Sequence, residues 1–267
     1  MQLIRITRKN PVANLAFDEA MIERAENQSE NRESSEELLR LWEMPTPCVI
    51  LGRSSKWDIE VNHSNCEREE IPIFRRMSGG ATVVVGPGCL MYSLLLSYDR
   101  RPAMRMLDVA HAEVMRRVRN ASQETLNEFD LPGEIDLQGT CDLTIYDRKF
   151  SGNALRCKRN WMLYHGTILV SMPLDWIGQF LLEPSRQPEY RGKRNHLDFV
   201  TTLLPADSKC SPVEFRQVLE QQIAIQWGAY GVEGEPSLIG EIEALEEQLM
   251  EARYSKDQWH RGSRLRN

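Results

Sequence analysis

Lys149 is the residue whose type and position best fit the activation of an anionic substrate. It follows an alternating apolar run over residues 143–146 and precedes Ser151-Gly152, a pair typical of a tight turn. A lysine ammonium there can contact a carboxylate and an α-phosphate together, and can stabilise the charge that develops as one attacks the other. We therefore predict Lys149 as the catalytic residue, although taken alone it would better fit a surface lysine at a strand end.

A second glycine turn, upstream of Lys149, supplies candidate donors for an anion. Ser78 is followed by Gly79 and Gly80, which can adopt positive φ and let a ligand approach main-chain N–H groups. Arg75 and Arg76 precede this turn and add planar guanidinium donors for a phosphate or carboxylate. The pattern predicts an anion-binding loop, and its alternative is a hairpin turn with incidental arginines.

Other residues near these turns have open roles. Asp142 can order Lys149, contact a metal-bound phosphate or cap a turn. His165 precedes a short apolar run and can orient a substrate or satisfy a backbone carbonyl. Cys141 and Cys157 lie near cations that could lower a thiol pKa and create an acyl carrier, although most free cysteines are packing residues.

Composition restricts the classes of partner. The 267 residues carry a formal charge of −6, which argues against broad binding to nucleic acid or to an anionic membrane, since both need a basic face. No stretch reaches the roughly 18 apolar residues of a membrane helix, and the first residues lack a signal-peptide pattern. The six cysteines include no Cys-x-x-Cys pair, which disfavours zinc sites and disulfide frameworks. We expect a cytoplasmic protein without a nucleic-acid partner, a membrane partner or a metal held by a protein cage.

The spacing of apolar residues predicts an α+β (α/β-type) fold, with a central mixed β-sheet covered by helices. Helices are predicted over residues 14–24 (with Asn14 as N-cap), 105–119, 173–182, 212–227 and 238–252. Strands are predicted over residues 4–6, 38–42, 48–51, 71–74, 82–85, 90–96 and much of 143–170, and an exposed loop over 27–37. The glycines lack the G-x-G-x-x-G and P-loop orders, which disfavours a nicotinamide or P-loop enzyme.

Taken in order, these segments resemble the lipoate–protein ligase A family of the biotin/lipoate ligase superfamily. The similar motifs are an N-terminal helix, two early strands, an Arg-Arg-x-Ser-Gly-Gly loop, a lysine motif and a His-Gly-Thr strand, followed by a familiar tail. They occupy residues 14–20, 41–42, 49–53, 75–80, 148–154, 164–167 and 254–259. The ordered match covers nearly the whole chain.

The resemblance implies a catalytic domain akin to the class II aminoacyl-tRNA synthetase and biotin ligase core, termed the BPL/LPL catalytic domain. This single domain would span residues 1–267, with its core over about 1–205 and a helical segment over 206–267. The C-terminal accessory domain of two-domain ligases would then be unnecessary here, or be supplied by a separate polypeptide.

The resemblance also implies a reaction in two steps. Lipoate and ATP, with Mg²⁺, give lipoyl-adenylate, which a lysine of a lipoyl domain then attacks; the expected acceptors are E2 subunits of 2-oxoacid dehydrogenases and the glycine cleavage H protein. Lys149 would contact both the lipoate carboxyl and the α-phosphate. Nucleotide-binding positions would be Arg76, Ser78, Gly79, Gly80, Ala81, Thr82, Val83, Val84, Lys149 and Asp142, with Asp142 also a candidate ligand of Mg²⁺. Lipoate-binding positions would be Arg75, Lys149, Ser151, Gly152, His165 and Gly166.

Departures from the family pattern leave alternatives open. The third glycine of the loop is Ala81, and Val85 and Cys89 stand where family ligases commonly carry polar residues near the nucleotide. One alternative is an octanoyl- or lipoyltransferase of the same fold, using a carrier protein and a cysteine thioester. Cys141 is its candidate thiol, although the cysteine of those enzymes lies further upstream of the lysine. Another alternative is a non-catalytic lipoate-binding protein, whereas a biotin ligase fits less well because its Gly-Arg-Gly-Arg-type loop is absent.

Overall fold

The computed structural model describes residues 1–31, 35–184, 187–231 and 235–262. Its strands are β1 Gln2–Ile4, β2 Leu38–Glu43, β3 Cys48–Leu51, β4 Ile73–Arg75, β5 Val83–Val85, β6 Cys89–Ser97, β7 Ile135–Gln138, β8 Asp142–Ile145, β9 Arg148–Cys157 and β10 Trp161–Leu169. Its α-helices are α1 Pro11–Glu30, α2 Trp57–Glu60, α3 His63–Arg68, α4 Leu107–Glu128, α5 Asp175–Phe180, α6 His196–Phe199, α7 Pro212–Trp227, α8 Pro236–Leu249 and α9 Asp257–Arg261. None of the helices in these ranges is long and apolar enough to cross a lipid bilayer.

A seven-stranded sheet forms the centre, in the order β1-β2-β6-β10-β9-β8-β7. β1 and β2 run parallel, whereas β6 pairs antiparallel with β2 and with β10, so the sheet is mixed. Successive side chains of a strand point to opposite faces. In β6, Tyr92 and Leu94 accordingly pack in one apolar cluster and Leu95 in another. Because both faces are apolar, both must be covered.

Helices cover both faces of this sheet. Val114 of α4 and Leu219 of α7 belong to the cluster on one face, and Phe17 of α1 and Ile242 of α8 belong to the cluster on the other. α7 occupies its predicted range, because Ser211 caps its first turn and the next residue is proline. The predicted mixed sheet covered by helices is confirmed.

A smaller sheet in the order β4-β3-β5 lies beside the large one and holds the candidate site. An apolar cluster joins the two sheets, with Val49 of β3, Met91 of β6 and Leu169 of β10 among its members. β4 ends at Arg75 and β5 begins at Val83. The loop over residues 76–82 therefore connects two strands of the small sheet where it meets β9 and β10.

The predicted start of the first helix is wrong. Helix α1 begins at Pro11, and its N-cap is Asn10, whose side chain accepts a hydrogen bond from the Val12 N–H. Asn14 is instead buried inside the helix, where its Oδ1 accepts a 2.7 Å hydrogen bond from Arg40. Proline at the first helical position moved the start upstream, because its fixed φ suits that position.

Part of the loop predicted over residues 27–37 is also wrong. Helix α1 continues to Glu30, and Glu37 is buried because its carboxylate accepts two 2.8 Å hydrogen bonds from Arg101. Residues 32–34 lie outside the described residues. The serine-rich acidic composition of this segment therefore predicted neither the end of helix α1 nor the ion pair between Glu37 and Arg101.

Candidate active site

The β8–β9 hairpin positions Lys149. Tyr146 and Asp147 form its two-residue turn, with φ angles of 52° and 56°, the left-handed pair that suits a tight hairpin. Lys149 is therefore the second residue of β9. The turn predicted at Ser151-Gly152 is wrong, because these residues lie inside β9, between β8 and β10.

A carboxylate directs the Lys149 ammonium. Nζ lies 2.8 Å from Asp142 Oδ1, and Asp142 Oδ2 accepts a 2.8 Å hydrogen bond from the Tyr190 hydroxyl. Gly152 gives the ammonium its space, because a Cβ there would lie 2.8 Å from both Cε and Nζ of Lys149. The lysine side chain keeps 28% of its surface exposed, so it has a fixed direction and remains open to a ligand.

Two cavities meet at Lys149. The first has a volume of about 150 Å³ and the second a volume of about 260 Å³. Both are lined by Ala81, Val83, Lys149, Gly152, Thr167 and Pro188. One ammonium therefore faces two compartments, and it can attract an anionic group in each of them.

The first cavity has apolar walls and one carboxylate at its edge. Glu60 accepts a 2.5 Å hydrogen bond from the Thr82 hydroxyl and a 3.0 Å hydrogen bond from the Lys56 N–H. Burial raises the pKa of Glu60, but these hydrogen bonds outweigh burial and lower the pKa overall. Its apolar walls include Val84, Phe150, Leu169, Ile177, Leu181 and Phe199.

The second cavity combines apolar walls with a fixed amide. The Asn153 side chain donates a 2.7 Å hydrogen bond to the Cys141 carbonyl and accepts one from the Tyr92 hydroxyl. Gly166 gives this amide its space, because a Cβ there would overlap Asn153 Oδ1. The walls include Leu15, Trp42, Ile50 and Met91. This lining suits an acyl chain.

Arg76 holds the Ser-Gly-Gly loop from its inner side. Its buried guanidinium donates hydrogen bonds of 2.6 Å and 2.9 Å to the carbonyls of Gly79 and Ala81, and one of 3.1 Å to Ser78 Oγ. Burial lowers the pKa of Arg76 to about 10, so the group is charged at neutral pH. Within the described ranges, the N–H groups of Gly79, Gly80 and Ala81 donate to no protein oxygen. They are available to an anion.

His165 connects this loop to the second cavity. Its Nε2 lies 2.6 Å from Ser78 Oγ, and the residue lies in the middle of β10. Burial, assisted by the charge of Arg76, lowers the pKa of His165 to about 4. The imidazole is therefore neutral at physiological pH, and it extends the line of hydrogen bonds that begins at the Arg76 guanidinium.

Arg75 lies away from both cavities, contrary to the predicted lipoate contact. Its guanidinium donates to the carbonyls of Gly52 at 2.7 Å, Ser55 at 2.8 Å and Trp259 at 3.1 Å. Its own N–H donates to His260 Nδ1 at 3.0 Å. These contacts attach α9 to the small sheet, so the role of Arg75 in this geometry is structural.

The thiol of Cys141 lines the second cavity without being activated. Burial and the nearby Asp142 raise its pKa to about 11, and the thiol donates a 3.3 Å hydrogen bond to the Asn153 carbonyl. A nucleophilic cysteine needs a lowered pKa. The environment of Cys141 instead raises the pKa of the thiol and so keeps it protonated.

The structure brings most predicted site residues together around Lys149. Thr82, Val84 and Ser151 line the first cavity, Arg76, Asp142, His165 and Gly166 line the second, and Ala81, Val83 and Gly152 line both. Gly80 borders an adjoining groove, and Ser78 and Gly79 belong to the loop that Arg76 holds. Arg76 thus lines the second cavity and Ser151 the first.

Sequence reasoning assigned no role to Glu60, Asn153 or Tyr190. Asn153 stands inside the lysine motif, so an amide two residues after Ser151 was an available signal. Glu60 and Tyr190 are distant in sequence and reach the site only through the fold. Among the described residues, no group of three or more His, Cys, Asp and Glu side chains could hold a metal ion.

The fold and the junction of two cavities at a lysine define the class of this protein. The chain belongs to the lipoyl protein ligase A/B catalytic domain family, whose sequence model matches residues 10–224. The predicted family resemblance is confirmed.

Curated relatives include members with two activities. The chain is 29% identical over 178 residues to a putative lipoate-protein ligase A of Schizosaccharomyces pombe, covering 66% of this chain and 43% of that protein. It is 25% identical over 272 residues to the octanoyltransferase LipM of Brevibacillus brevis, covering 94% of this chain and 95% of that protein. The chain thus spans less than half of the first relative and nearly all of the second.

Solved structures share the fold over the whole chain. A chain from the bi-partite lipoate protein ligase of Thermoplasma acidophilum, studied with its E2 lipoyl domain, has a TM-score of 0.74 at 21% identity, covering 100% of this chain and 97% of that one. A lipoate-protein ligase A bound with ATP has a TM-score of 0.71 at 22% identity, covering 98% of each chain.

Proposed function

We propose that this protein is a lipoate–protein ligase that activates lipoate with ATP and transfers the lipoyl group to a lysine of a lipoyl domain. The observation that carries this proposal is the position of Lys149 between two cavities. The second cavity has the lining for an acyl chain, and the first lies beside a loop with free N–H groups. Family membership and the likeness to a ligase bound with ATP support the proposal.

In the first step, a lipoate carboxylate oxygen attacks the α-phosphorus of ATP. A bond from this oxygen to phosphorus forms, the bond to the β-phosphate oxygen breaks, and pyrophosphate leaves. The Lys149 ammonium reduces the repulsion between the two anions and stabilises the added charge in the transition state. Asp142 and Tyr190 keep that ammonium aimed at the junction, so little reorganisation is needed when the charge develops.

In the second step, the neutral amine of an acceptor lysine attacks the acyl carbon of lipoyl-adenylate. The new amide bond forms as the bond to the AMP oxygen breaks, and the nitrogen loses a proton to solvent. Lys149 faces the departing phosphate in this step as well. E2 lipoyl domains and the glycine cleavage H protein are the proposed acceptors, a choice supported by the archaeal ligase that was solved in a study with its E2 lipoyl domain.

Glu60 fits a magnesium ion bound with ATP better than Asp142 does. Asp142 is already neutralised by the Lys149 ammonium, 2.8 Å from its Oδ1, whereas the donors to Glu60, the Thr82 hydroxyl and the Lys56 N–H, are uncharged. Glu60 is held ionised at the edge of the first cavity. Mg²⁺ commonly binds proteins through one or two carboxylates together with substrate phosphates. When bound, the ion would neutralise phosphate charge, and Glu60 would be its protein ligand.

The second candidate function is transfer of an octanoyl or lipoyl group from a carrier protein. The match to the octanoyltransferase LipM, which extends over nearly both chains, favours it. Chemistry at Cys141 opposes it, because a thiol with a pKa near 11 is almost entirely protonated at neutral pH.

An apolar channel separates related acyl chains by only ~1–3 kcal/mol per group, so both functions could accept lipoate and octanoate.

One experiment separates the two functions. Apo lipoyl domain is incubated with the protein and either lipoate plus ATP or octanoyl-carrier protein without ATP, and intact mass is measured for both proteins. The ligase predicts an added lipoyl mass on the acceptor only with ATP, and no thioester mass on the enzyme. Modification from the octanoyl carrier without ATP, together with an acyl mass on Cys141, would overturn the proposal. No modification with either donor would favour the non-catalytic alternative.

A further inference from the structure

The C-terminal segment, residues 236–262, packs against the helix that forms one wall of the second cavity. It consists of helix α8, a π-helical turn over Met250–Tyr254 and helix α9. The wall helix is α1, whose Leu15 and Asp18 line the second cavity. The segment lies beyond residue 224, where the match to the family's sequence model ends, so its role does not follow from that match.

Ion pairs near the surface hold α8 beside α1. Arg24 of α1 lies 2.6 Å from Glu241, and Arg8, shortly before α1, lies 2.9 Å from Glu243 and 2.8 Å from Glu246. Solvent screens pairs of this kind, so each contributes little to stability. These described residues also lie outside the lining of the second cavity. The ion pairs therefore join the two helices without fixing the cavity wall.

Glu19 makes the buried contact between α1 and the segment. The residue is only 4% exposed, and its carboxylate accepts a 2.6 Å hydrogen bond from the Tyr254 hydroxyl and another from the Arg253 guanidinium. Both donors belong to the π-helical turn, in which the Ser255 N–H donates to the Met250 carbonyl five residues back. Such turns are rare and are frequent at functional sites. Because an unpaired buried carboxylate is costly, this contact fixes α1 against the turn.

The position of Glu19 determines where the wall of the second cavity lies. Asp18 is its neighbour in α1, and Leu15 lies about one helical turn before it. Leu15 packs in one apolar cluster with Tyr254 and Trp259 of the segment. The same cluster contains three further wall residues of the cavity, Trp42, Ile50 and Met91. A shift of α1 relative to the π-helical turn would therefore move the wall.

The far end of the segment is attached to the small sheet. Trp259 Nε1 donates a 2.9 Å hydrogen bond to the Arg75 carbonyl, and the Arg75 N–H donates to His260 Nδ1 at 3.0 Å. The next residue, Arg76, lines the second cavity. The segment thus connects α1 with β4, two elements on which the cavity depends, and both of its ends are fixed.

We propose that Glu19 is a positioning residue for acyl binding, and that the C-terminal segment holds it through Arg253 and Tyr254 so that Leu15 and Asp18 stay in place at the cavity wall. This inference rests on the proposed function, because an acyl substrate is taken to occupy the second cavity. When the contact is weakened, α1 is correctly placed in only a fraction of the molecules, and the apparent acyl affinity falls by that fraction. Saturating acyl substrate selects the correctly placed state and restores turnover.

The test measures the Kd for lipoate by calorimetry and the KM values for lipoate and ATP in adenylate formation. We expect Tyr254→Phe and Arg253→Gln each to raise the Kd and KM for lipoate about fivefold. The KM for ATP and the kcat at saturating lipoate should stay unchanged, which separates positioning of the acyl wall from a general loss of structure. Arg24→Gln breaks a different contact between α1 and α8, the 2.6 Å ion pair with Glu241, and should behave as the unaltered protein does.

Unchanged lipoate affinity in both Tyr254→Phe and Arg253→Gln would overturn the positioning role. An equal loss in Arg24→Gln, or a parallel rise in the KM for ATP, would overturn it as well. The two proposals fail in different ways, because calorimetry needs no ATP. If lipoate binding depends on Tyr254 and Arg253 but no adenylate forms, the positioning role stands and the ligase is wrong. If adenylate forms while both variants bind lipoate normally, the ligase stands and the positioning role is wrong.

Discussion

At the scale of single residues, the site depends on how one ammonium is held. Lys149 is paired with Asp142 at 2.8 Å, and the partner carboxylate is itself held by Tyr190. Such a charge-assisted arrangement fixes direction more than it adds stability, because the lysine remains partly exposed and solvent screens the pair. In the proposed reaction, this arrangement orients the charge before the substrates arrive.

Replacing Lys149 by alanine should reduce adenylate formation by about 10²–10³-fold, because a preorganised charge at the reacting phosphate is removed. Exchange of radioactive pyrophosphate into ATP measures this step. Lys158→Ala is the matched control, since it breaks a comparable 2.7 Å ion pair with Glu23. Equal losses in the two variants would show that Lys149 has no special role in the reaction.

Sequence reasoning predicted Lys149, Asp142, His165 and the glycine loop as one site because chemistry restricts which residue types can serve there, and the structure brings them close together. It did not foresee the contacts of Arg75, because an arginine beside a glycine turn has the same pattern whether its guanidinium meets a ligand or, as in this structure, five backbone carbonyls. Only the position of α9, distant in sequence, decides between these roles.

At the scale of elements, two glycines determine how β9 and β10 meet at the site. Gly152 leaves space for the end of Lys149, and Gly166 leaves space for the Asn153 amide. Neither requires glycine for its φ angle, so the requirement is close approach. A methyl group at either position would displace a polar group from the cavity junction.

Gly152→Ala should keep the fold and lose activity. The added Cβ would lie 2.8 Å from the Lys149 ammonium, which is the flexible end of its side chain and can move. A displacement of about 1 Å at a reacting centre can lower the rate by ~10²-fold, so we expect at least a tenfold loss in adenylate formation. The melting temperature should change little. Gly240→Ala, in an open position of α8, is the control, and an equal loss there would contradict the argument.

Replacing Arg75, in contrast to Gly152, should affect the stability of the fold. Arg75→Ala leaves several buried carbonyls without donors, at ~1–3 kcal/mol each, so the free energy of unfolding should fall by on the order of 3 kcal/mol. Urea denaturation measures this change, with Arg68→Ala at an exposed ion pair as control. Lost lipoate affinity with unchanged stability would instead support the binding role that the sequence predicted.

The sequence predicted the type of most elements better than their ends. Helix α7 agreed because a serine cap and a glycine end bracket it. The lysine hairpin was misread because its turn consists of Tyr146 and Asp147, with positive φ at two residues that rarely adopt it. Ser151-Gly152 looked like the turn, yet close packing required that glycine inside a strand.

At the scale of the whole molecule, partly or fully buried histidines connect the site to stability. His165 has a native pKa of about 4 and an ordinary value near 6.5 when unfolded. Burial also lowers the pKa values of His111, His196 and His260. These histidines bind a proton at a higher pH in the unfolded chain than in the native state. The native state therefore loses stability relative to the unfolded chain as the pH falls.

Stability should therefore be fully present above about pH 6.5 and decline towards pH 4, with His165 contributing at most about 3 kcal/mol of the loss. Denaturant titrations at pH 7.5, 6, 5 and 4.5 would measure the decline. A His165→Gln variant should show a shallower slope over this range, because the variant side chain does not titrate. An identical slope in both proteins would mean that His165 is already accessible to protons in the native state.

The central claim is that Lys149 joins an acyl carboxylate in one cavity to the α-phosphate of ATP in the other. A single-turnover reaction with enzyme, lipoate, ATP and Mg²⁺, without an acceptor protein, tests it most directly by measuring enzyme-bound lipoyl-AMP and released pyrophosphate. We predict equal amounts of both products from the unaltered protein, and their formation about 10²–10³-fold more slowly by Lys149→Ala. Absence of lipoyl-AMP from the folded, unaltered protein, or its undiminished formation by Lys149→Ala, would contradict the account.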